Sequence, residues 1–178
     1  MADDKKSLGD YGVHLFTGAV NEESTAEAIE FILEANLNGG HDGLKLIVNS
    51  GGGYVCSGFA LIDVMAGSKI PVHTVGLGMI ASMGVSIFIA GKKGTRTLTP
   101  NTMVMCHQWA GGAYGKHHEL LADMKNWQQV QERMVAHYAK HTKLNKKKVE
   151  EIFFPPSDVW LNAKEAMSLG ICDVIRDV

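Results

Sequence analysis

At 178 residues with 46% hydrophobic composition, the chain is one ordinary domain that can bury a core without disulfides or a structural metal, which excludes a multidomain machine. Lys+Arg 17 against Asp+Glu 19 leaves a net charge of −2, so no basic excess points to nucleic acid or an anionic membrane as partner. The three cysteines, Cys56, Cys106 and Cys172, are widely spaced in apolar surroundings, which suits buried thiols in a reducing compartment. The charged start Met1–Lys6 is followed by no apolar run, so no secretory signal is expected and the cytoplasm is the expected location.

Residues 1–10 are polar and are expected to be disordered, with order starting near Tyr11. Val13-His14-Leu15-Phe16 reads as a short strand closed by Thr17-Gly18. Ser24-Thr25-Ala26-Glu27 is a capping-box pattern, and Ala26, Ile29, Leu33 and Leu37 recur at helical spacing until Asn38-Gly39-Gly40. Leu44 to Val48 is an apolar strand that breaks at Asn49-Ser50-Gly51-Gly52-Gly53, after which Val55, Phe59, Ile62 and Met65 recur with a helical period. The next 22 residues of interest, Ile70 to Gly91, carry no formal charge and are long enough to span a bilayer. Pro71, His73, Thr74, Ser82, Ser86 and four glycines would leave polar groups unpaired in lipid, so a soluble β-α unit is the better reading. In it Pro71–Val75 is a strand, Gly76-Leu77-Gly78 a separator and Ala81–Ala90 a buried helix.

Met103–Cys106 reads as a further strand, and His117–His141 as one long amphipathic helix striped by Leu120, Met124, Trp127, Met134 and Tyr138. Lys146-Lys147-Lys148 beside Glu150-Glu151 suits a solvated helix start. Val159–Leu161 is a strand, Asn162 caps a helix with Glu165 three residues on, Gly170 stops it, and Ile171–Ile175 is a last strand. The alternation predicts an α/β fold with mostly parallel strands.

Where chemistry could sit is a question of glycines, one serine and one histidine. Gly51-Gly52-Gly53 could cradle a phosphate, but the loop continues Tyr54-Val55-Cys56-Ser57 without the Gly-Lys-Ser/Thr of a P-loop. Gly76-x-Gly78-x-x-Ala81 matches the dinucleotide fingerprint, yet no Asp or Glu occurs between Asp63 and Glu119 to hold a ribose. Exposed N–H groups stabilise an oxyanion equally well if a nucleophile lies beside them, and Ser82, between small neighbours at a helix entry, is the candidate. Taken alone, Ser82 reads as well or better as a packed core serine. Of eight histidines, His107 stands out because it closes an uncharged strand before a glycine turn, where a base is often placed, although a hydrogen-bonded core histidine fits too. His137 and His141 stand four apart on one helix but lack the Glu of a zincin helix, so they read as solvated residues. An acid to orient His107 must come from outside residues 64–118. Asp158, between Pro155-Pro156-Ser157 and a strand, is the first choice and Asp173 the second.

Asn49-Ser50-Gly51-Gly52-Gly53, Met79-Ile80-Ala81-Ser82-Met83-Gly84, Met105-Cys106-His107-Gln108, Asp158 to Ala166 and Leu169-Gly170-Ile171 together resemble the ClpP family of serine peptidases, in order, from about Gly12 to the C-terminus. The spacing of 25 residues from Ser82 to His107 is family-like. The resemblance implies Ser82 as nucleophile, His107 as general base, Asp158 as the orienting acid, and the backbone N–H groups of Gly53 and Met83 as oxyanion hole. It also implies a crotonase-like β-α spiral in a single domain over 1–178, with a protruding handle over residues 111–141. The expected partners are a peptide or unfolded-protein substrate, further copies of the chain in two stacked seven-membered rings, and an ATP-driven AAA+ unfoldase. No cofactor, metal, nucleic acid or membrane is expected. The chain departs from the family at Gly51 and Trp109, where proline is usual, and the residues before Tyr11 give little counterpart to the family's long N-terminal segment. A crotonase-fold acyl-CoA enzyme and a catalytically silent ring subunit are the competing readings.

Overall fold

A computed structural model describes residues 6–177. After a 3-10 turn over Gly9–Tyr11, the chain forms β1 (Val13–Val20), α1 (Glu22–Asn38), β2 (Leu44–Gly53), α2 (Val55–Gly67), β3 (Val72–Ala81) and α3 (Met83–Ile89). β4 (Thr97–Leu98), β5 (Met103–Cys106), α4 (His117–His141), α5 (Lys146–Phe153), β6 (Val159–Leu161), α6 (Ala163–Leu169) and β7 (Val174–Ile175) follow. Of the ten residues expected to be disordered, 1–5 lie outside the described residues, while Gly9 and Asp10 already belong to the first turn.

The sheet runs β1-β2-β3-β4-β7 with parallel neighbours throughout. β3 is long enough to serve two partners on one edge: Val75 and Gly76 pair with β4, and Met79 to Ala81 pair with β5. β6 then pairs antiparallel with β5, Cys106 standing opposite Val159. The fold is therefore the expected α/β one, with the β3–α3 unit at its centre. Every residue of α3 is buried. The uncharged stretch Ile70–Gly91 is thus a largely buried strand and a fully buried helix, and its lack of polarity follows from that burial, with Gly78 and Met79 near the end of β3 exposed. Among the described residues no helix is long and apolar enough to cross a membrane.

Several boundaries differ from the sequence reading. β1 and β2 both extend through their glycines, and Gly76-Leu77-Gly78 lies inside β3 instead of ending it. The reason at Gly76 is close packing, since a Cβ there would run into the Leu98 side chain and sit 3.4 Å from Phe88. α1 starts earlier: Asn21 is its cap, with Oδ1 accepting from Ser24 N–H at 2.9 Å and Ser24 Oγ accepting from Asn21 N–H at 3.1 Å. Its buried stripe is Thr25, Ala28, Ile32 and Ala35, not the leucines, and Leu37 is 85% exposed. Small residues on the inner face let the helix lie close to its neighbours, which a count of large apolar side chains does not register. α4 spans the expected range, but only its second half is buried, through Met134, Val135, His137 and Tyr138. Leu121 and Met124 of the first half are exposed. No regular element forms over 107–116.

His137 and His141 of α4 are not solvated. His137 is buried, donates from Nε2 to Ser86 O on α3 at 2.8 Å, and its ring lies 4.6 Å from that of half-buried His141. Burial, the neighbouring His137, Lys140 and Arg96 push His141 down to about 4 from an ordinary 6.5. The unfolded chain therefore takes up a proton below about 6.5 that the folded chain refuses until about pH 4. Stability from this group is fully present above pH 6.5 and is lost as the pH falls through that window. A second polar centre closes the sheet, where fully buried Arg96 donates from Nε and Nη2 to Asp173 at 2.8 and 2.6 Å and from Nη1 to His141 O at 2.6 Å.

Two outcomes are expected. Thermal melts should show Tm falling between pH 6.5 and pH 4, with a shallower fall for His141→Gln. Asp173→Asn should cost about 3 kcal/mol in chemical denaturation, because it strands a buried guanidinium without its counter-charge.

Candidate active site

β3 ends at Ala81 and α3 begins at Met83, so Ser82 alone makes the turn. It has φ 53° and ψ −124°, and among the described residues it is the one non-glycine with positive φ. A side chain in that conformation costs on the order of 1–3 kcal/mol and persists only where the surroundings over-determine it. Here Ser82 N–H donates to Met105 O of β5 at 2.8 Å, and Ser82 O accepts from Val85 N–H at 3.0 Å. The end of β2 presses on the same turn. A Cβ on Gly52 would lie 2.6 Å from Ser82 Cβ and 2.9 Å from Met83 N, and one on Gly84 would lie 2.8 Å from Ser50 O. Bare backbone on both sides lets the two segments meet.

That approach positions two N–H groups. Met83 is the first residue of α3, so its N–H has no partner within the helix. Tyr54 N–H donates to Val20 O of β1 at 2.8 Å, and successive residues of a strand point opposite ways, which turns the N–H of Gly53 away from β1. Gly53, Met83 and Ser82 border one cavity of about 340 Å3. His107, half-buried just past the end of β5, borders it too. Four of the five residues singled out in the sequence are therefore brought together.

Asp158 is placed differently. It is exposed, immediately before β6, and the ladder that pairs Cys106 with Val159 puts His107 and Asp158 opposite each other one step further out. No hydrogen bond joins Ser82 to His107 or His107 to Asp158. Asp173 is spent on Arg96, which with the Gly94 and Arg96 N–H groups holds its carboxyl below the usual range against the opposing effect of burial. It has no role at the cavity.

Sequence reasoning missed the cavity's apolar wall, Met134, Tyr138 and Phe154. Met134 and Tyr138 were visible as a helical stripe, but nothing local said that they face a site. Tyr138 is fully buried, its ring 5.0 Å from that of Phe154. Gln108 Nε2 donates to Phe154 O at 2.9 Å, which ties the wall to the segment after His107. Beside them Cys106 is buried and pushed up to about 12 by desolvation, so this thiol is inert although His107 follows it in the chain. Cys172 is also buried, whereas Cys56 is exposed, against the expectation for all three.

Residues 3–178 match the family model described as Clp protease. The chain belongs to the Clp protease family. It is 31% identical over 165 residues to the ATP-dependent Clp protease proteolytic subunit of Deinococcus radiodurans, an alignment covering 92% of this chain and 79% of that protein. This member of the family is a serine-type endopeptidase, and the acyl-CoA reading is set aside.

The packing at Gly52 can be tested directly. Gly52→Ala should lower peptide hydrolysis by about 10²-fold, because the added carbon displaces Ser82 and Met83 N–H together, while far-ultraviolet circular dichroism stays close to that of the parent.

Proposed function

We propose that Ser82 is the nucleophile of peptide-bond hydrolysis, His107 its general base and Asp158 the acid that orients His107. The N–H groups of Gly53 and Met83 receive the oxyanion. The observation that carries this reading is the strained turn at Ser82, a residue that lines the same cavity as His107, Gly53 and Met83. Ser82 Oγ attacks the scissile carbonyl while His107 takes its proton, and the negative charge that grows on the carbonyl oxygen is received by the two backbone donors. Collapse of the tetrahedral intermediate expels the amine, which receives the proton from His107. Water, deprotonated by His107, then attacks the acyl-enzyme and restores Ser82. Asp158 holds the imidazole in the tautomer this sequence needs. The antiparallel register of β5 and β6 supports that pairing. No metal or cofactor takes part.

The substrates in this reading are peptides and unfolded proteins, and the protein works as two stacked seven-membered rings in the cytoplasm with an AAA+ unfoldase as partner. Leu33, Leu37, Leu121 and Met124, exposed on α1 and the first half of α4, are the side chains that subunit contacts would cover.

A fluorophosphonate probe should label the protein at Ser82, and Ser82→Ala should abolish labelling together with cleavage of short peptides. Asp158→Asn should slow turnover by about 10³-fold or more through the wrong imidazole tautomer, whereas Asp173→Asn should affect stability far more than turnover. Labelling that survives Ser82→Ala, or a reversed order of the two aspartates, would refute the assignment. Light scattering should give the mass of a ring oligomer, and folded proteins should resist cleavage unless an ATP-dependent partner is added.

A further inference from the structure

Beside Trp109 lies a second depression of about 400 Å3. Tyr54 and Val55 bound it at the β2–α2 junction, Trp127 and Val130 bound it on α4, and Glu22 stands at its edge. Val55 and Trp109 border both this trough and the Ser82 cavity, so the two adjoin at these residues.

Trp109 is held in place although residues 107–116 have no regular structure. The Trp109 ring lies against that of Trp127 with centroids 5.3 Å apart and planes at 46°, within the range that aromatic pairs favour. At another edge it meets Gly111, where a Cβ would fall 3.1 Å from Trp109 Cε3. Gln108, one residue earlier, is anchored to Phe154 O.

Two indoles, a phenol ring and two valines make a surface for an apolar occupant, and its junction with the Ser82 cavity says what that occupant is. Side chains at positions i and i+2 of an extended peptide project to one side, roughly 7 Å apart. An aromatic ring flanked by van der Waals contact on each face, about 3.5–4 Å apiece, fills that interval. We infer that Trp109 and Trp127 are specificity-determining residues: the trough receives a bulky aliphatic or aromatic side chain two residues from the one whose carbonyl meets Ser82. The inference rests on the assignment of Ser82 as nucleophile.

Digestion of a mixed-peptide library by the full chain, read by mass spectrometry, tests it. The parent protein should favour Leu, Ile, Met or Phe over Gly or Asp two residues from the cleaved one by roughly tenfold. Trp127→Ala and Val130→Asp should bring that ratio below about twofold, a loss of the same differential binding, while Val130→Ile keeps it. No such preference in the parent protein overturns the inference whatever the variants do. A profile unchanged in both disruptive variants overturns it too, and so does a Val130→Asp variant whose particle mass falls in light scattering with its profile intact, since the trough would then be a subunit contact. Fluorophosphonate labelling of the parent protein reports on Ser82 separately: a labelled protein with a flat profile defeats the trough alone, and an unlabelled one defeats the nucleophile.

Discussion

The site depends on the contact between the glycine end of β2 and the turn at Ser82. Neither segment could occupy its position with a side chain at Gly52 or Gly84, because a single carbon there would overlap Ser82, Met83 N or Ser50 O. The backbone hydrogen bond from Ser82 to Met105 fixes the turn from the side opposite the glycines. Strain at one residue is thereby sustained by ordinary packing and sheet bonding around it. That is the arrangement a preorganised nucleophile needs, since nothing has to reorganise when charge develops beside it.

The divided pairing of β3 brings the remaining parts to this turn. Because β4 takes the lower half of its edge, β5 is free to pair with the upper half and to end beside Ser82. His107 follows from that ending, and β6, returning antiparallel, delivers Asp158 to the same end of the sheet. α4 covers the cavity with Met134 and Tyr138 and is itself tied to α3 by the bond from His137 to Ser86 O. The helix that walls the cavity is thus linked to the helix that follows Ser82. The Arg96–Asp173 pair closes the opposite end of the sheet, where it joins β4, β7 and the end of α4.

Much of this was legible because it depends on neighbours in the chain. The β-α alternation, the extent of α4, the caps at Asn162 and Gly170 and the burial of the segment around Ser82 follow from hydrophobic period and capping chemistry. The motif series from Asn49 to Ile171 identified the family, and four of the five singled-out residues meet at one cavity. Errors fell where local signals admit two meanings. A glycine inside a strand looks like a turn until the partner that crowds it is known, as at Gly76 beside Leu98 and Phe88. A helix that buries alanines and exposes leucines, as α1 does, defeats any rule that counts large apolar side chains.

The sequence by itself therefore determined the order and type of most of the elements and which groups are candidates for the chemistry, because both are properties of short segments and of residue chemistry. Only the tertiary structure decided which of these groups meet. Ser82, His107 and the N–H groups of Gly53 and Met83 come from three strand ends that converge through pairing between segments far apart in the chain, and no local period encodes such pairing. The same holds for Asp173, a plausible acid by sequence that the fold commits to a buried arginine. It holds as well for Trp109, which borders both the cavity and the trough because α4 sets Trp127 against it.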